Sequence, residues 1–93
     1  MSQVENRLRE LGLELPEVAV PLAAYVPAVR TGNLVFTSGQ LPTRGGELVA
    51  KGKLGTSAGC VSVEDAKAAA AQAALNGLAA IKGVIGDLDL VVR

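Results

Sequence analysis

The stretch Ala24-Tyr25-Val26-Pro27-Ala28-Val29-Arg30-Thr31-Gly32-Asn33-Leu34-Val35-Phe36-Thr37-Ser38-Gly39-Gln40-Leu41-Pro42 decides how the chain is read. A short run, Ala28-Val29-Arg30, is followed by the turn residues Thr31-Gly32-Asn33 and then by the apolar, β-branched run 34–38, a hairpin pattern. Side chains alternate between the faces of a strand, so Leu34, Phe36 and Ser38 share one face and Val35 and Thr37 the other. This predicts a buried row that carries Ser38 at its end. Pro42 and Gly45-Gly46 then break the chain, and Glu47-Leu48-Val49-Ala50 supplies one more short strand.

Upstream, Pro16, Pro21 and Pro27 fix φ and remove donors, so residues 15–27 are expected to be an extended connector lying against apolar surface through Val18, Val20 and Leu22. Before it, Val4, Leu8 and Leu11 recur at i, i+4 and i+7, giving a short amphipathic helix that stops near Gly12 and needs a docking surface. Downstream, residues 52–59 read as a loop. Ser62 is the N-cap of the longest helix, with Glu64 and Asp65 in its first turn, running to about Lys82 and ended by Gly83 or Gly86. Ala66, Ala69, Ala70, Ala73, Gly77 and Ala80 make a small-residue face for close packing, with Leu75, Leu78 and Ile81 beside it. Leu88-Asp89-Leu90-Val91-Val92 reads as a strand that stops with the chain at Arg93. Its unpaired edge predicts an incomplete domain.

Composition narrows the chemistry. The 93 residues carry nine Lys plus Arg, nine Asp plus Glu, no His, no Trp and one Cys. There is therefore no imidazole base, no Ser/His or Cys/His couple, no His ligand, no internal disulfide and no Cys-based zinc site. A neutral chain with only Tyr25 and Phe36 as aromatics also lacks the basic face and stacking platform of a nucleic-acid binder. The polar, mixed-charge start is neither a secretory signal nor a transit peptide, which predicts a cytoplasmic protein. The apolar stretch 66–85 is interrupted by Lys67, Gln72, Asn76 and Lys82 and reads as a soluble helix rather than a membrane span.

Most candidate chemical groups have a plainer structural explanation. Gly46 to Lys53 has five residues between its glycines and Leu54 where a phosphate loop needs Ser or Thr. Cys60 lacks a partner base and reads as a small, half-buried apolar residue. Glu64 and Asp65 point about 100° apart on a helix and suit its first turn better than a shared site. Lys51 and Lys53 fit a solvated loop. Tyr25 in a proline-bounded connector and Ser38-Gly39 at a strand end are equally ordinary by composition alone: a packed ring and a turn.

The block from Ala24 to Pro42 nevertheless resembles the opening of the Rid family, the reactive-intermediate deaminases, also called YjgF-like proteins, translation initiation inhibitors or endoribonuclease L-PSP. The likeness rests on a Tyr, an Ala-Val hairpin turning at Gly-Asn, and the Phe36-Thr37-Ser38-Gly39-Gln40-Leu41-Pro42 strand end. The helix with Ala74-Leu75-Asn76-Gly77-Leu78-Ala79 and the following Gly86-Asp87-Leu88-Asp89 extend it to Arg93. The leading helix with Leu15-Pro16 resembles a branch with an N-terminal extension. The resemblance implies an α/β (α+β), chorismate-mutase-like fold, a mixed β-sheet with helices on one face. Residues 1–23 are then a leading helix and connector, and 24–93 the N-terminal part of one domain.

The same resemblance implies, for the intact domain rather than for this first half by itself, a homotrimer with clefts between subunits, and hydrolysis of enamines and imines such as 2-aminoacrylate and 2-iminopropionate to keto acid and ammonia. It implies no metal and no organic cofactor, while charge, aromatic content and hydropathy argue against nucleic acid or membrane as partner. Tyr25 matches the family's pocket tyrosine, Ser38 its strand-end serine, and Gly39 the adjoining backbone, making Tyr25 and Ser38 the candidate catalytic residues and Ser38 and Gly39 the candidate substrate-binding ones. The family's carboxylate-binding Arg and water-positioning acid belong to a second half not matched here, and Arg93 is not assigned that role. Val26-Pro27 replaces the family's usual Ser-Gln after the Tyr. Besides the deaminase, two readings stay open: a non-catalytic trimer that binds small carboxylates, and a ribonuclease or translation inhibitor, against which the neutral charge and absent His weigh.

Overall fold

The structure is a computed structural model that describes residues 2–93. Helix α1 spans Gln3–Glu10, strands β1 and β2 Ala28–Thr31 and Leu34–Thr37, β3 and β4 Thr43–Arg44 and Glu47–Leu48, and helix α2 Val63–Ile85; a 3₁₀ turn, Leu88–Leu90, follows. α1 forms where its amphipathic spacing predicts. Ser2 caps it, its hydroxyl accepting the Glu5 amide at 3.0 Å. At the other end Gly12 takes φ +75°. The Leu13 amide then reaches the Leu8 carbonyl at 2.8 Å and the Gly12 amide reaches Arg9 at 3.0 Å, the Schellman pattern that satisfies the last turn.

β1 and β2 pair antiparallel, Ala28 opposite Thr37 through Thr31 opposite Leu34, closed by Gly32 and Asn33. β3 and β4 form a second small hairpin, Thr43 opposite Leu48 and Arg44 opposite Glu47. Within the described residues, then, the expected mixed sheet is present as two separate antiparallel pairs, with one isolated parallel bridge between Leu54 and Val61. β1, β2 and β3 all pack against α2. The predicted strand 47–50 is shorter than its sequence pattern, and its partner β3 falls in the stretch that Pro42 and the glycine pair were expected to break.

α2 is capped by Ser62, which accepts the Asp65 amide at 3.1 Å, and ends at Gly86, whose amide reaches the Lys82 carbonyl at 2.7 Å. By length and composition α2 is apolar enough to cross a membrane. Its two most buried polar residues, Gln72 and Asn76, are bonded to the β3 hairpin and the residues before it. Gly83 stays inside the helix, close to the connector: a Cβ there would lie 3.3 Å from Val18 Cγ2. The connector 15–27 is free of helix and strand, as its prolines dictate, but Val20 and Leu22, expected to lie against apolar surface, are 84% and 80% exposed.

Two expectations are corrected. The strand anticipated over 88–92 is absent: Leu88–Leu90 is a 3₁₀ turn and 91–93 are irregular. Local polar chemistry wins over β propensity here, because the Asp87 carboxylate accepts the Asp89 amide at 2.9 Å while Leu88 is buried. Asp89 is held elsewhere, its carboxylate taking the Gln3 and Val4 amides at 2.8 and 2.9 Å, so the turn is fastened to the first turn of α1. Glu5 and Lys82 add an ion pair between α1 and α2. The second correction concerns the hairpin faces. Leu34 and Phe36 are exposed, at 60% and 54%, whereas Val35 is half-buried. Both faces carry apolar residues, so alternation alone does not say which one meets α2.

Fully buried apolar residues are Ala79, Ala80 and Leu88 among the described residues. A radius of gyration of 14.6 Å, against about 12 Å for a compact domain of this length, agrees with so small a centre.

Candidate functional site

Tyr25, Ser38 and Gly39 line one cavity of about 560 Å³. The hairpin register explains how: Ala28 faces Thr37, so Pro27 and Ser38 are the next positions outward, at the open end of the ladder. The Ser38 amide and hydroxyl both donate to the Pro27 carbonyl, at 2.9 and 3.2 Å. Gln40 Nε2 donates to the Ser38 hydroxyl and carbonyl oxygens, each at 3.4 Å. Ser38 is half-buried through these bonds, and not as the end of the buried row that alternation predicted. Tyr25 reaches the cavity from a turn in which its amide donates to Ala23 at 2.9 Å, and its ring is 45% exposed.

The backbone amides of Gly39, Gln40 and Leu41 meet no acceptor among the described residues. They follow Ser38 directly, so the strand end that lines the cavity carries unshared amide donors. Residues 16–22 of the connector supply much of the remaining lining, with Leu41 and Leu48 adding apolar surface. Glu17 is the charged residue of the lining, which contains neither Lys nor Arg. Arg93 and Cys60 lie outside it, and Cys60 is half-buried as a small packed residue. Among the described residues no group of three or more His, Cys, Asp or Glu comes together. A second cavity, of about 410 Å³ between α1, the connector and α2, has Glu5 and Lys82 in its wall, already paired with each other.

Sequence reasoning missed Gln40, Thr43 and Asn76, which also line the site. Asn76 Nδ2 donates to the carbonyls of Leu41 and Thr43 at 2.9 and 3.0 Å. A signal was present: Gln72 and Asn76 stand four apart, on one face, in an otherwise alanine-rich helix, where buried amides require partners.

A small α+β unit with two antiparallel hairpins on one long helix, and a polar strand end opening onto a cavity, is the class that fold and site define. The family model described as "YjgF/chorismate_mutase-like, putative endoribonuclease" matches residues 5–93, and the chain belongs to that family. It is similar to the protein TCP17 of Trypanosoma cruzi, 36% identical over 91 residues, which cover 98% of this chain and 55% of that one. Among solved structures it resembles one titled "putative endoribonuclease" from Shewanella oneidensis MR-1, with TM-score 0.81 and 41% identity over 91% of this chain and 54% of that one. It also resembles Atu1372, of unknown function, from Agrobacterium tumefaciens, with TM-score 0.71 and 38% identity over 89% and 48% of the two chains. The chain thus spans about half the length of these relatives.

Proposed function

We propose that the cavity takes a small carboxylate bearing an enamine or imine, of the 2-aminoacrylate or 2-iminopropionate type, and promotes its hydrolysis to the keto acid and ammonia. The observation that carries this reading is the convergence of Tyr25, Ser38 and Gly39 on one cavity beside unshared amide donors. The chemistry suits a chain without His, since the iminium carbon is already electrophilic. Water adds to that carbon as the C=N π pair moves to nitrogen, and one proton passes from the added water to the amine; the hydroxyl oxygen pair then forms the C=O bond as the C–N bond breaks, and the hydroxyl proton goes to the departing ammonia or to water. No protein nucleophile is required. The amides of Gly39 and Gln40 hold the carboxylate, and the Tyr25 hydroxyl orients substrate or water. A homotrimer with the cavity closed between subunits accompanies this reading, and the exposed Val29, Leu34 and Phe36 on the outer hairpin face support it.

The test generates the imine in place with an amino-acid oxidase and follows keto acid and ammonia. Faster release with the chain than in buffer, reduced by Ser38→Ala, is the expected result; no acceleration overturns the deaminase reading. A second reading, carboxylate binding without turnover, is favoured by Val26-Pro27, whose side chains bring no polar group beside Tyr25. Pyruvate binding without imine hydrolysis would select it. For the ribonuclease activity in the relatives' names, the neutral charge, absent His and two aromatics give this chain poor equipment.

A further inference from the structure

We propose that Gln72 and Asn76 are positioning residues for the cavity, forming a directional amide relay that runs from Arg44 to the wall formed by residues 41–43. The proposal rests on the reading of this cavity as a carboxylate site. Arg44 Nε donates to Gln72 Oε1 at 3.1 Å, and Gln72 Nε2 donates to Asn76 Oδ1 at 3.1 Å. Asn76 Nδ2 then donates to the Leu41 and Thr43 carbonyls at 2.9 and 3.0 Å, with Thr43 Oγ1 at 3.3 Å. Gln72 and Asn76 are 5% and 1% exposed, so water does not compete for their amides.

The direction of the relay is fixed at its outer end. A guanidinium only donates, so the Gln72 oxygen turns towards Arg44 and its nitrogen towards Asn76. The Asn76 oxygen is then taken by Gln72, leaving its nitrogen for the two wall carbonyls. Those carbonyls belong to the segment that continues from Ser38, Gly39 and Gln40. Gln40 itself lies along the same helix, its Cγ 3.9 Å from where a Cβ at Gly77 would stand. An exposed cation thus sets, two residues away, the backbone that continues from Gly39 and Gln40.

The decisive substitution is Gln72→Glu in the 93-residue chain. A carboxylate there still accepts from Arg44 but cannot donate to Asn76. Asn76 must turn its nitrogen to the carboxylate and its oxygen towards the Leu41 and Thr43 carbonyls, which repel it. Expected are moved amide NMR signals for Gly39, Gln40, Leu41 and Thr43 without ligand, a lowered thermal midpoint, and pyruvate binding weakened about tenfold, the equivalent of one hydrogen bond. Ser62→Ala, which removes a helix cap, should lower the midpoint and leave those signals and the affinity in place. If Gln72→Glu fails to fold, Gln72→Leu, which also removes the donor to Asn76, is read by the same signals. Unmoved signals overturn the relay. Equal pyruvate affinity in Gln72→Glu and the parent also overturns it and leaves the carboxylate reading standing. Moved signals in a chain whose parent form does not bind pyruvate sustain the relay and remove the carboxylate reading instead.

Discussion

Ser38 is tied twice to one oxygen, the carbonyl of Pro27, through its amide at 2.9 Å and its hydroxyl at 3.2 Å. The hydroxyl proton is therefore spoken for in the unliganded chain, while the next amides along the backbone have no acceptor. On the proposed carboxylate reading, an anion at this strand end would meet those amides first, and the hydroxyl would contribute by exchanging Pro27 for the ligand.

Ser38→Ala leaves the Pro27 carbonyl bonded to the Ser38 backbone amide, so its stability cost should be about 0.5–1.5 kcal/mol. Its effect on imine hydrolysis should be larger than that of Cys60→Ala. Loss of a hydrogen bond to a carboxylate predicts a fall in kcat/KM of roughly three- to a hundredfold. Kinetics of 2-iminopropionate breakdown with both variants check this, and equal effects would move the site away from Ser38.

Asn76→Ala removes the donor shared by two carbonyls and leaves a cavity in a fully buried position. A loss of about 2–3 kcal/mol is expected from the unsatisfied groups alone. Urea unfolding measures it. A cost below that of Ser38→Ala would mean that water replaces the amide freely.

At Gly83 the outcome depends on Val18, 42% exposed in an irregular connector and so able to give way. Gly83→Ala should stabilise the chain by a few tenths to about 1 kcal/mol through helix propensity. Gly83→Leu should displace Val18 and alter the cavity, seen as moved NMR signals for residues 16–22. Destabilisation by Gly83→Ala would show the connector to be rigid.

Much of this architecture was legible because local rules acted without competition. The Gly32-Asn33 turn, the Ser62 cap and the proline-bounded connector follow from backbone chemistry that tertiary contacts do not overrule; of the two glycines that could end α2, Gly86 does, the last helical residue, Ile85, lying three residues beyond the expected Lys82. Tyr25, Ser38 and Gly39 were found by resemblance, and the hairpin register is what brings Ser38 beside Pro27. Where the reading failed, the deciding contact was remote or ambiguous. Residues 88–92 look like a strand until Asp89 is seen holding the first amides of α1. The face of β2 could not be chosen because Val35 is as apolar as its neighbours. Asn76 and Gln72 passed as interruptions of an apolar helix, although their spacing already implied that a hairpin lay against them.

Asp89→Ala tests the junction between the first and last parts of the fold. It withdraws the acceptor of the Gln3 and Val4 amides, which should cost about 1 kcal/mol and fray α1 while α2 stays intact. Amide exchange should rise in residues 3–10 and remain unchanged in 66–82; faster exchange throughout would mean that the junction holds the whole fold.

The same junction orders events in time. α1 is eight residues long, too short to persist alone in water, and the carboxylate that receives its first amides stands 86 positions further along the chain. α1 is therefore made well before the residue that fastens it, and settles only after that residue is in place. It waits until α2 and the turn at Leu88 have formed, so its arrival reports that this end of α2 is already in place.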